Sequence, residues 1–369
     1  MKKLLFVLLI ATQFVNAQEL ALVSKGKVWG YINRTGAYAI PLNYTRAKDF
    51  SDGLAAVEEN GKWGFIDPTG KMVIPAQYDE AKYFNSGICV VAKDKKWFYI
   101  DKKGTIISTP PTEKYYDFED GIAFFKMGDK VGIINTKGTI VLNPIYETIK
   151  SFEGNYARVR QNGKWGVIDK TGKVIVEPAY DDIGDYSKTT VWAQLGETYG
   201  LVIGGKFSPI AGCNKIWDFN GQEITYARKD KKVGFIDMTG KWVIEPKFDK
   251  ARAFSKGLAP VQVADKWGYI NTKGEFVIQP SYPDAEVFSA DGLAPVKIDQ
   301  WGFVSTTGQL VIPAQYEITA GLAFMAGRNQ KGFINGLARI KKDKKWGFID
   351  TKGNLLGNMW FDNAEPFSK

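Results

Sequence analysis

The sequence predicts an all-β protein: about ten tandem copies of a three-stranded meander, joined as an open, solenoid-like stack. Three observations lead there. A Trp-Gly dipeptide or its equivalent returns at one fixed interval, the distance from Trp29 to Trp63. Within each copy the apolar runs are short and separated by turn sequences. The composition, 44% hydrophobic and 24% charged over 369 residues, belongs to a chain that folds around a core.

Residues 1–17, MKKLLFVLLIATQFVNA, read as a cleaved signal peptide. Lys2 and Lys3 give the charged start, Leu4 to Ala11 the apolar run, and Val15-Asn16-Ala17 the small residues of a cleavage site. The run is too short to span a bilayer, and no other stretch reads as a transmembrane segment. Export to the periplasm, the cell surface or the medium is therefore expected, into an oxidising compartment. Cys89 and Cys213 are the only cysteines, too few for a disulfide framework. Histidine is absent, which excludes His-dependent triads and His-ligated metal sites. Loss of Lys2 and Lys3 takes the formal charge from +9 to +7 (9 − 2). The lysines are spread out, so the basicity favours acidic partners but not nucleic acid.

Residues 18–369 form one array. The Trp position is Trp29, Trp63, Trp97, Val131, Trp165, Tyr199, Val233, Trp267 and Trp301, all equally spaced, and then Trp346 after a longer interval. The next residue is Gly in nine of these ten copies, Phe98 being the exception. A second Gly follows the Trp position by seven residues, as at Gly70, and an aromatic by fifteen, as at Tyr78. A repeat of about 34 residues also suits a two-helix unit. Here fixed glycines and a Pro twelve or thirteen residues after the Trp would break helices in every copy. The segment from Leu54 to Pro75 instead holds three apolar runs, LAAV, WGFI and MVI, separated by ENGK and DPTG. These are three strands, followed by a connector that Tyr78 and Phe84 pin to the sheet. Asp67, Asp101, Asp169, Asp237 and Asp350 precede a turn Gly by three residues and serve as turn acceptors rather than calcium ligands.

Two units depart from the pattern. The copy near 199–232 is degenerate, with Gly204-Gly205 early. The long interval suggests a truncated unit near 321–336, with Lys331-Gly332-Phe333-Ile334 as its second strand. A closed β-propeller is the alternative architecture, with the connector supplying a short fourth strand.

The pattern KWGFID…TGK…VIP…YD…F…GLA, carried by residues 62–67, 70–75, 78–79 and 84–88, resembles the WG (also called KWG) repeat family of bacterial proteins. Residues 164–169, 266–271 and 345–350 carry it again. The resemblance implies β-structured units in secreted or surface proteins and no shared activity or ligand.

The Trp row has two readings, a stacking platform for sugars or core. Val131 and Val233 can fill a core but cannot stack, which favours core. The Gly beside it is expected to let a neighbouring unit's ring approach the backbone. The Lys before it, as in Lys62, Lys164 and Lys266, reads as the solvated side of a hairpin.

The candidate ligand face lies on the first strand. Phe124, Arg158, Trp192 and Tyr226 fall at one fixed distance after Trp97, Val131, Trp165 and Tyr199, with Lys126, Arg160, Gln194 and Arg228 two residues on. Residues i and i+2 share a strand face. Trp360, where other copies carry Asn or Gln, is expected to be exposed. No phosphate loop or nucleophile motif is present. The function expected is an exported, non-enzymatic, monomeric scaffold for a protein partner, with no cofactor, metal or catalytic residue. A polysaccharide bound along the aromatic and basic stripe is the alternative. A carboxylate-dependent glycoside hydrolase is the third reading.

Overall fold

The computed structural model describes residues 19–317 and 332–369. The expected signal peptide lies outside them, as do residues 318–331 of the expected truncated unit. The described residues form ten small antiparallel sheets in chain order, here blades 1 to 10. Their second strands begin near the ten Trp positions, from Val28–Asn33 in blade 1 to Lys345–Asp350 in blade 10.

Blade 2 shows the plan. Ala55–Glu59 pairs with Lys62–Ile66, which pairs with Met72–Tyr78. The third strand is bulged: Trp63 faces Tyr78, but Phe65 faces Ile74 and Ile66 faces Met72. The cause is the Gly of the Trp-Gly pair. A Cβ on Gly64 would lie 2.7 Å from both Ala76 N and Ile74 O, so the third-strand backbone crosses directly over it. Pro75 sits in that bulge, where a missing N–H costs no ladder bond. The glycine thus admits the blade's own third strand, not a neighbour's ring as the sequence suggested. Blade 3 supports this account. Phe98 replaces the glycine, the third strand stops at Ile106–Ile107, and Trp97 is left 42% exposed.

The turn glycine joins neighbours. It adopts positive φ, and its face meets the third strand of the preceding blade: Gly70 lies against Ile40, Gly274 against Ile244 and Gly308 against Ile278. Asp67 accepts from the Thr69 and Lys71 amides at 2.9 and 3.0 Å, which fixes that turn. The connectors add short strands. Lys250–Ala251, for example, pairs with Leu258–Val263 and makes blade 8 four-stranded.

The open stack is not what forms. Asn363–Ala364, from the last connector, pairs with the first strand Leu20–Lys25 and becomes the fourth strand of blade 1. Leu20 and Ser368 exchange backbone hydrogen bonds of 2.9 Å in both directions. Gly36 of blade 1 packs on Gly357, repeating across the closure the turn contact made at other junctions. The buried apolar residues fall into ten clusters, one per junction; the tenth unites Ala21, Val23 and Ile32 with Phe348, Phe361 and Ala364. The protein is a ten-bladed β-propeller. Identical local packing serves a stack or a ring; the small rotation added at each junction decides whether the last unit meets the first.

Two irregular regions gain an explanation. In blade 6, Gly204-Gly205 makes a tight hairpin, so Thr198–Ile203 pairs with Lys206–Pro209 in straight register without the bulge. Near the long interval, Phe333–Ile334 is not a second strand. It pairs with Leu337–Lys342, and Phe333 packs edge-on against Phe303 at 4.9 Å, as Phe84 does against Phe65 at 4.8 Å. Phe333 therefore holds against Phe303 the place that Phe84 holds against Phe65.

Candidate functional site

Much of the charge in the repeat is spent on the frame. Lys62 meets Asp79 at 2.5 Å, Lys164 meets Asp181 at 2.5 Å and Lys232 meets Asp249 at 2.6 Å. Each Asp also accepts an amide from the next blade's first hairpin: Asp94, Gly196 and Ala264 respectively. The same clamp closes the ring, with Lys345 on Asp362 and the Gly26 amide on Asp362 at 2.6 Å. The lysine hydrogen bond holds these four carboxyls below the usual aspartate range. The lysines before the Trp are thus blade-to-blade ties wherever the Asp is present. Lys266 has no such Asp, because Pro283 stands at that position.

The indoles of the Trp row are covered to differing extents. Trp63 and Trp267 are buried, Trp29, Trp165, Trp301 and Trp346 half-buried. Cations cap several: Arg46 lies 4.9 Å from the Trp63 ring, Arg252 4.7 Å from Trp267 and Arg339 4.3 Å from Trp346.

The structure sets Phe124, Arg158, Trp192 and Tyr226 at one register position in blades 4 to 7, each opposite the residue two after the Trp position, with Lys126, Arg160 and Arg228 opposite the Trp position itself. Most are engaged at junctions. Phe124 stacks on Phe152 at 6.2 Å, with Lys126 beside it half-buried. Arg158 reaches into blade 6 to Asp185 at 2.9 Å and the Ile183 carbonyl at 3.3 Å. Arg160 is exposed, 6.0 Å from the Trp165 ring and 4.0 Å from Glu147. Trp192 donates its indole N–H to Asp218 of the next connector at 2.7 Å. Trp360 is half-buried rather than exposed: it packs over Gly347, where a Cβ would meet its ring at 3.1 Å. In blades 1, 2 and 5 to 9 backbone fills that place.

Tyr226 and Arg228 differ from the rest, because they open onto a cavity of about 910 Å³ between blades 7 and 8. Trp217 stacks on Tyr226 at 4.6 Å, and the Lys215 ammonium lies 4.6 Å from the same indole. Arg228 donates to Asn214 at 2.9 Å. Across the cavity stand Lys250, Arg252, Gln262 and Trp267, with Lys231 and Asp284 also on the lining. Arg252 is held by Asp284 at 3.1 Å and by Glu286. Gln262, Trp217, Lys231 and Lys250 were not singled out by the sequence. Gln262 belongs to the same i+2 series as Arg228, but nothing in the sequence shows a cavity beside it.

Asp185 and Asp218 lie close enough for one carboxylate to perturb the other. Burial, then the charge of Asp218, raises the Asp185 carboxyl, with Arg158 opposing. Asp218 accepts both the Trp192 indole and the Asp185 amide, at 2.7 and 2.8 Å. Both carboxylates therefore tie blade 6 to its neighbours. Among the described residues no group of His, Cys, Asp and Glu has the arrangement of a metal site. Among them, too, no helix is long and apolar enough to cross a membrane.

No curated protein matches the chain. Among solved structures, a crystal structure of the eukaryotic initiation factor is 10% identical, with a TM-score of 0.48, covering 95% of this chain and 98% of that one. Hsv2 of Kluyvelomyces marxianus is 9% identical with a TM-score of 0.32, over 69% of this chain and 97% of that one. The dihydro-heme d1 dehydrogenase NirN is 11% identical with a TM-score of 0.33, over 81% and 73%. Likenesses this distant add nothing to the closure seen in the ten junctions. The repeat itself is more informative. Residues 29–63, 63–97, 97–130, 132–165, 165–199, 234–267, 267–300, 301–318, 331–346 and 346–369 each match the WG containing repeat, and the longest unmatched stretch, 200–233, covers the degenerate unit. With nearly every blade matched, the chain belongs to the WG-repeat family.

Proposed function

We propose that this propeller is an exported, non-enzymatic scaffold that binds a protein partner. The observation that carries the reading is the cavity between blades 7 and 8, where side chains left over from the frame converge. Asp79, Asp181, Asp249 and Asp362 are taken up as clamps between blades, and Asp67, Asp101, Asp169, Asp237 and Asp350 as acceptors in turns. The closed ring supports a monomer, since the first blade's edge is already covered by the chain's own last connector.

A glycan platform is less well supported. Sugar stacking needs an open ring face. Trp192 is half-buried and tied through its N–H, and Trp217 is taken up by Tyr226 and Lys215.

Photo-crosslinkers placed singly at exposed positions on each blade, in the cells that make the chain, should yield a discrete protein adduct from at least one blade. Adducts only with polysaccharide, or none from any blade, would overturn the scaffold. Export is tested by N-terminal sequencing of the mature chain: Gln18 is expected first, and an intact Met1 in the cytoplasm refutes it.

A further inference from the structure

The 910 Å³ cavity is within the usual range of ligand sites, about 300–1,000 Å³. Its charges do not balance. Of its two lining acids, Asp249 is clamped by Lys232, and Asp284 is held by Arg252. Arg228, Lys231 and Lys250 line the same space and form no ion pair among the described residues. One further side chain points to a ligand. Gln262 is 6% exposed and lines the cavity, and its side-chain amide, free of protein hydrogen bonds among the described residues, faces that space. That amide opens onto the water of the cavity, and a ligand's peptide group can take the water's place.

We propose that this cavity captures an acidic, extended segment of a protein partner. The proposal rests on the scaffold reading and names its site and chemistry. The side-chain amide of Gln262 both donates and accepts, which suits a peptide group at the cavity floor. Arg228, Lys231 and Lys250 meet the segment's carboxylates at the mouth. An acidic glycan would present the same charges, but Trp217 is covered by Tyr226 and Lys215, and Trp267 is buried, so no indole face is free for a sugar ring. The clamp of this junction, Lys232 on Asp249, is intact, but the next one is missing. Pro283 replaces the Asp that would have paired with Lys266, and it lines the cavity in that Asp's stead.

The test uses the purified chain and a decaglutamate peptide, read by calorimetry and by tryptophan fluorescence. Binding is expected at low salt and should weaken steeply as salt rises. Arg228→Gln and Lys250→Gln should each weaken it about threefold. Gln262→Leu should weaken it about fivefold while leaving the thermal midpoint within a few degrees. The two cation variants lie at the cavity mouth and keep the test valid should Gln262→Leu misfold. Failure of decaglutamate to bind, or unchanged affinity in Arg228→Gln and Lys250→Gln, overturns the proposal. Equal affinity for an oligogalacturonate of the same charge overturns the peptide assignment. In each case protein adducts from other blades would leave the scaffold reading standing, whereas their absence would remove both.

Discussion

Removing residues 359–369 tests the closure of the ring. The deletion takes away Phe361, 1% exposed between blades 10 and 1, and the short strand Asn363–Ala364. It breaks four backbone bonds to the first strand: Leu20 N to Ser368 O, Ser368 N to Leu20 O, Asp362 N to Ser24 O and Glu365 N to Leu22 O, all 2.8–2.9 Å. At about 1 kcal/mol per bond, and about 3–5 kcal/mol for a buried Phe, the first blade loses roughly 8 kcal/mol of support. The assay is amide hydrogen exchange by mass spectrometry. Protection across Leu20–Asn33, at the far end of the sequence from the deletion, should fall by about a thousandfold or more, since each 1.4 kcal/mol is a factor of about ten. Blades 4 and 5, from Ile122 to Tyr180, should change far less. In an open stack the first and last units never touch, and the deletion would leave Leu20–Asn33 as protected as before. That result would refute the ring.

Gly64→Ala should destabilise by several kcal/mol, because its Cβ meets third-strand backbone at 2.7 Å. Gly347→Ala should cost about 1 kcal/mol, because it meets only the Leu355 and Trp360 side chains, which can shift; equal losses in denaturant titrations would contradict the bulge account. Stability should fall as pH drops below about 4, since Asp79, Asp181, Asp249 and Asp362 have folded pKa values below their unfolded ones and lose their lysine bonds on protonation. Asp79→Asn should flatten part of that slope; an unchanged acid transition counts against the clamp. Cys89 and Cys213 are buried free thiols whose ionisation burial pushes up. Both should resist iodoacetamide in the native protein and react fully in denaturant, and rapid native labelling of Cys89 would show that its junction is open.

The periodicity of one chain settles the repeat, because every unit must solve the same packing problem with its own residues. Trp63, Gly64, Phe65 and Tyr78 announce a strand, a close approach and a pinned connector wherever their equivalents recur. Turn chemistry at Asp67 and Gly70 is equally local and equally readable. What the glycine admits was not readable, since a bulged strand of the same blade and a neighbour's ring leave the same mark in sequence. Nor was closure, which depends on the small rotation at each junction and on Asn363–Ala364 finding a strand at the opposite end of the chain. The candidate face was half legible for the same reason. Its register position follows from strand alternation. Whether a side chain there ties two blades, as Arg158 and Trp192 do, or opens onto a cavity, as Tyr226 and Arg228 do, depends on what the next blade brings to meet it. Gln262 and the unpaired lysines near it acquire meaning only once blades 7 and 8 stand side by side.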